Sequence, residues 1–353
     1  MKSVPNTYFS SARKECSSFS ALVVCVALGL FVGACASKKA VTAAPTSLVW
    51  PAPPVPPRIA YVQSIARPSD VGIKRPALAR FASWITGSER GNEALVKPFG
   101  VAVDEEGNLY VTDTGANAIC LFDRVRRKWQ RWEKIGKTQF ASPVAITARK
   151  GVIFVADSGS GRVVAFDLRG KLLFDITNRL ERPSGLVIAS DRLWVADSQR
   201  HCVASFDLGG NFLSEFGHRG AGLGEFNFPT HIAADIAGNL FVTDSLNGRV
   251  QMFGPNGEPR RQIGNVGDTS GSFSRPKGLA LDTMGHVYVV DALFDNIQVF
   301  DTDGRFLLYL GEPGAKPGEF WLPNGIAISS NNDIFVADSY NRRVQVFKYI
   351  GQP

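Results

Sequence analysis

An all-β chain folded as a six-bladed β-propeller is what this sequence predicts, and three observations carry the prediction. One phrase, best read in Pro323–Phe347 (PNGIAISSNNDIFVADSYNRRVQVF), occurs six times, with copies opening at Pro98, Pro143, Pro183, Pro229, Pro276 and Pro323. The Asp of its V-x-D pattern falls at Asp113, Asp157, Asp197, Asp244, Asp291 and Asp338, in steps of 44, 40, 47, 47 and 47 residues. Within each copy, short runs of Val, Ile and Phe alternate with turn residues. A period in the forties with four short strands per repeat is the signature of propeller blades.

In the first copy strand a is Val101–Val103, strand b Leu109–Thr112 and strand c Ile119–Phe122, while strand d is clearest later, at Phe212–Phe216 and Phe306–Leu310. The small residue in strand a (Ala102, Ala233, Ala280, Ala327) suits the narrow inner edge of a tapering blade. Three links between blades are long and Gly-rich: Gly217–Asn227, Gly264–Ser274 and Gly311–Trp321. The sixth copy stops at strand c, because only KYIGQP follows Phe347. Arg58–Ile65 is strand-like and has no neighbour in sequence, so it is expected to complete blade six beside Val344–Phe347. That pairing would remove two exposed strand edges. Pro76–Ile85 has apolar residues at helical spacing and reads as a short helix.

The motif G-[ILV]-A…G-N-[LI]-[YF]-V-[AT]-D-[ST]-x-N-x-R-[IV], seen in Gly107–Asp113 and Gly238–Asp244, resembles the NHL repeat. The resemblance covers Pro98 to Phe347; copies two and three lack the Gly-Asn turn. It implies a six-bladed propeller and no single function, since relatives bind proteins, RNA or ligands, and a few are lyases or lactonases.

Ahead of the propeller, Lys2, Arg13 and Lys14 precede an uncharged apolar run, Phe19–Ala34, of sixteen residues. A membrane span needs about 20, so the run reads as an export signal, residues 1–34. It ends in Val32-Gly33-Ala34-Cys35, which resembles a bacterial lipobox and implies a diacylated Cys35. No Asp follows Cys35, which implies an outer-membrane lipoprotein, anchored by burial of acyl methylenes. Residues 35–57, with six Pro after Ala44, read as an extended tether, and 58–353 as the propeller domain.

The chain carries a net charge of +7, or about +5 without its first 34 residues, spread along the sequence. With export, that charge argues for solubility and against nucleic acid. The dense basic run Arg124–Trp132 falls in and after a c–d turn, where it is solvated or faces anionic headgroups or an acidic partner. Cys120 and Cys202 sit on the c strands of blades one and three, too far apart for a disulfide.

Six copies of one Asp are more than a single active site needs. They are expected to accept backbone N–H groups of the b–c turns. The repeat's Arg162, Arg249 and Arg343 are read as structural in the same way. Function belongs where the repeat is broken. In an up-and-down blade the b–c loops and d–a links share one face, on which the variable positions Phe99, Ser184, Thr230, His231, Lys277 and Asn324 surround the axis. His231 replaces the Gly found at Gly100, Gly185, Gly278 and Gly325. His201 and His218 lie on the same face, and convergence with His231 would suit a divalent metal or a general base. Neither G-x-S-x-G, H-E-x-x-H, C-x-x-C-H nor a phosphate-binding Gly loop is present. The reading is therefore a monomeric, lipid-anchored interaction scaffold without cofactor, whose partner is an envelope protein or peptide. The alternative is a metal-dependent enzyme of lyase or lactonase type on the same face.

Overall fold

The computed structural model describes residues 48–74 and 93–351. The export signal, Cys35, residues 35–47 of the tether and the helix expected at Pro76–Ile85 lie outside the described residues. The rest is a propeller of six antiparallel sheets arranged around an axis. Blade one comprises Pro98–Val103, Leu109–Asp113, Ala118–Asp123 and Lys128–Trp132. Each later strand a begins on its repeat proline, at Pro143, Pro183, Pro229, Pro276 and Pro323. Proline there has its missing N–H at the first residue of a strand, where no ladder bond is lost.

Strands b and c are buried at nearly every position, as in Leu240–Asp244 and Arg249–Phe253, because each blade is covered on both faces by its neighbours. Strand d, on the outer rim, alternates between covered and exposed, as in Phe212–Phe216. The described residues accordingly form six apolar cores, each between adjacent blades. One joins blades five and six through Tyr288, Leu310, Ile334 and Phe347. Another joins six to one through Phe335, Val344, Leu109 and Phe122.

Ring closure follows the sequence expectation. Ile59–Ile65 pairs antiparallel with Arg343–Tyr349, Ile59 opposite Tyr349 and Ile65 opposite Val344, and supplies the fourth strand of blade six. One boundary is corrected: the end of the proline-rich run is part of the domain. Val49–Trp50 pairs with Ile59–Ala60 as a fifth strand, and the Trp50 ring meets Phe347 edge-on at 5.6 Å. The half-buried Trp50 ring packs against the core between blades five and six.

The Gly-rich links have a common construction. Gly217, Gly264 and Gly311 adopt φ of +87°, +72° and +92°, and a Cβ on any of them would collide with the ring of Phe226, Phe273 or Phe320, each fully buried. Gly100, Gly185, Gly278 and Gly325 are needed for a different reason: the next blade's backbone passes where their Cβ would stand. The tightest approach at the axis therefore lies two residues after the proline in these four blades, two residues before the Ala positions in strand a.

Candidate functional site

The six repeat aspartates are each fully buried. They bond further than their own turns. Asp291 accepts N–H bonds from Ser274 (2.7 Å) and Arg275 (3.0 Å) in the link ahead of strand a, and from Leu293 (3.1 Å) in the b–c turn. Asp197 does the same with Glu181, Arg182, Gln199 and Arg200. Each Asp thus pins a link to a turn and fixes the residues that flank the repeat proline. Arg249 and Arg343 pair with Asp244 (2.9 Å) and Asp338 (2.8 Å). Arg162 departs from the pattern and reaches Asp175 instead, while Ser160 occupies Asp157.

On the face those aspartates organise, the link ends and b–c turns of blades one to five enclose a cavity of about 260 Å³. Its wall is made by the residue after each repeat proline: Phe99, Val144, Ser184, Thr230 and Lys277, with His231 one position further on. The sixth expected position, Asn324, is corrected. It is absent from the wall, because its Nδ2 donates to Leu322 O (3.1 Å) and Ser339 Oγ (3.0 Å) inside the frame. Ser339 in turn donates to Pro98 O (2.6 Å) and joins blade six to blade one.

Sequence reasoning missed the residue before each proline. Arg182, Phe228 and Arg275 come from there, and all three line the cavity. Reading the same alignment one column earlier would have found them. The serine hydroxyls of the wall are largely committed to framework carbonyls. Ser245 Oγ donates to Pro276 O (2.9 Å), Ser158 Oγ to Pro183 O, and Ser184 Oγ to Pro229 O (3.0 Å). Polar groups left for a ligand are fewer and sharper: the cations of Arg182, Arg275 and Lys277, and three buried atoms without a hydrogen-bond partner, Thr230 Oγ1, His231 Nδ1 and His231 Nε2.

Comparison with known proteins agrees with this architecture. The NHL repeat pattern matches residues 320–347, which span the end of the last link and strands a to c of blade six. This chain is a six-bladed propeller carrying an NHL repeat. Among curated proteins, a probable peptidyl-alpha-hydroxyglycine alpha-amidating lyase of Caenorhabditis elegans is 31% identical over 126 residues, 33% of this chain and 36% of that protein. The alignment therefore spans about a third of the relative's length. Among solved structures, a streptogramin B lyase superposes with a TM-score of 0.57 at 14% identity, covering 72% of this chain and 94% of the other. A gluconolactonase of Xanthomonas campestris gives 0.57 at 15%, covering 84% and 98%. At such identities the likeness is one of fold.

The three histidines considered for a metal do not converge in the NHL propeller. His201 occupies the left-handed corner of a b–c turn, at φ +54°, where its Nδ1 accepts the N–H of Phe228 (3.2 Å) and its ring packs edge-on to Phe228 at 4.9 Å. Asp295, at the same turn position two blades on, makes the equivalent bond to Leu322 N–H (2.6 Å), so His201 is a framework residue. His218 is exposed and lies 3.3 Å from Glu225 on the rim of a link. His231 alone enters the cavity. Among the described residues no group of three His, Cys, Asp or Glu could hold a metal ion.

Charge in the cavity is of one sign: no acidic side chain among the described residues lines it. Burial pulls the Lys277 ammonium below the usual lysine range, and Arg275 and Arg182 add to the effect by repulsion. Burial, helped by Lys277, holds the His231 imidazole down to about 3, so it is neutral at physiological pH. A neutral imidazole offers one N–H donor and one acceptor, but a base that weak is a poor proton acceptor.

Proposed function

We propose that this propeller is a recognition module of the cell envelope, anchored through Cys35 and working through the face that carries the axial cavity. One observation carries the reading. Five of the six variable positions expected on that face, Phe99, Ser184, Thr230, His231 and Lys277, come together on one cavity wall from four different blades. The buried Asp and Gly framework around them repeats, and variation on a fixed frame is where recognition resides. The opposite face offers a control, because Arg126 in the blade-one c–d turn is exposed and pairs with Glu106 (3.3 Å) and Asp123 (3.4 Å). Crosslinking in intact cells followed by affinity capture tests the reading. Phe99→Ala and Lys277→Ala should each weaken capture by about 1–2 kcal/mol if they form a hot spot, whereas Arg126→Ala and Arg127→Ala should leave it unchanged. The reverse pattern would falsify the assignment. The anchor is tested separately: Cys35→Ala should move the protein from the membrane fraction to the soluble periplasm.

A second reading, a lyase of the propeller type, is favoured by the 31% identity to the amidating lyase. It requires a ligand set that His201, His218 and His231 do not form, and a general base stronger than His231. A divalent metal retained stoichiometrically after dialysis would favour it.

A further inference from the structure

Three cations share the mouth of one small cavity with no carboxylate to balance them. Lys277 projects from strand a of blade five, Arg275 precedes the same strand, and Arg182 comes from blade three. Their mutual influence is direct, since Arg275 and Arg182 both act on the Lys277 ammonium. None of the three side chains has an ion-pair partner among the described residues, in contrast to Arg200, paired with Glu215 at 2.9 Å, and Arg249, paired with Asp244. Arg182 and Arg275 are exposed at the mouth and Lys277 is partly withdrawn from water behind them, and like charge gathered in this way is unfavourable until an anion enters. The frame nonetheless holds these residues in place, because Asp197 binds the backbone of Arg182 and Asp291 that of Arg275.

The second observation is independent of charge. His231 is wedged at the wall where other blades have glycine, with both ring nitrogens buried and unpartnered, and Thr230 Oγ1 beside it is in the same state. Buried polar atoms normally have partners, so these are groups poised to bond something that enters. The third observation concerns the remaining wall, where Phe99, Phe228, Val144 and Leu246 supply apolar surface between serines whose hydroxyls are largely bonded to the frame. A fully hydrated inorganic anion would leave those rings without contact. A volume of about 260 Å³ lies just below the range of sites for whole drug-sized molecules, so it admits one charged group and a single apolar side chain.

Deepening the recognition reading above, on which it rests, we infer that the axial cavity is a receptor for a carboxylate carried next to an apolar or aromatic group, such as the free C-terminus of a peptide ending in an apolar residue. The two guanidinium groups and the ammonium bind the carboxylate oxygens, His231 and Thr230 supply a further hydrogen bond, and Phe99 and Phe228 hold the apolar group.

Calorimetric titration with matched probes tests this. 3-Phenylpropionate and the tripeptide N-acetyl-Ala-Ala-Phe with a free carboxylate should bind, and the primary amide of each should bind at least tenfold more weakly. Inorganic phosphate should bind more weakly than either acid. Arg275→Gln and Lys277→Gln should each lower affinity for the acids about tenfold while melting no lower than the parent, since each removes a repelling charge. Tighter binding of the tripeptide acid than of phenylpropionate identifies a chain terminus as the ligand; the reverse order identifies a small-molecule acid. Amides binding as well as acids, phosphate competing as tightly, or failure of both acids to bind would each overturn the inference. Partner capture that still depends on Phe99 while the acids fail removes the carboxylate receptor and leaves the recognition face standing. Capture that ignores Phe99 and Lys277 while the acids bind does the opposite.

Discussion

At the scale of single residues, burial decides what each polar group does. His231 has an imidazole held at about 3, against an ordinary value of 6.5, with Lys277, Arg182 and Arg275 as its charged surroundings and no acid. The unfolded chain therefore binds an extra proton between those values. Stability from this site is complete above pH 6.5 and falls as the pH drops, by about 1.4 kcal/mol per unit, or roughly 2 kcal/mol by pH 5. Urea midpoints at pH 7.5 and pH 5 should show that additional loss in the parent and not in His231→Gln; parallel losses would mean that the ring is solvated. The framework aspartates act in the opposite direction, by satisfying donors. Removing Asp291 strands the N–H groups of Ser274, Arg275 and Leu293, so Asp291→Ala should cost about 3 kcal/mol in denaturant unfolding. Cys120 and Cys202 are buried and unpaired, and burial pushes both thiols up to about 12. Both should resist alkylation in the native protein and react after unfolding without reductant. Protection in the unfolded state would reveal a disulfide.

Strands and links were the most legible part of the sequence, because each is marked by residues with one physical job. Proline opens strand a, glycine supplies the left-handed link corner, and Asp closes the b–c turn. The site was legible only in part. Phe99, Ser184, Thr230, His231 and Lys277 stand out as departures from a repeat, and they do share a wall. Arg182 and Arg275 carry no such mark, because each is an exposed arginine beside a proline, and only the placement of the neighbouring blades shows that both border one cavity. Asn324 misled for the converse reason: its amide finds partners in its own blade, which no pattern of types reveals. The end of the tether was misjudged because two residues, Val49 and Trp50, are too short a run to read as a strand. That short strand gives a graded test. Removing residues up to 57 loses the Trp50–Phe347 contact and should cost about 1–3 kcal/mol. Removing residues up to 65 also takes away Ile59 and Ile65, both fully buried, and should abolish a cooperative melt.

For the molecule as a whole, stability is divided among the six cores that the described residues form between adjacent blades. The two faces differ accordingly. One holds the cationic cavity, and the other is made of a–b and c–d turns in which several charges have local partners, as Arg126 has in Glu106 at 3.3 Å. The matched face is expected to tolerate substitution. Blade six, assembled from both ends of the domain, has a topological consequence. Because Ile59 lies opposite Tyr349, a linker of a few residues could join the two strands as an ordinary hairpin and turn the domain into a continuous circle. A circle has no preferred opening, so the polypeptide could be cut at another link, for instance between Phe216 and Phe226, and still close. Such a permutant would carry its two chain ends at a different place on the rim while presenting the same cationic mouth.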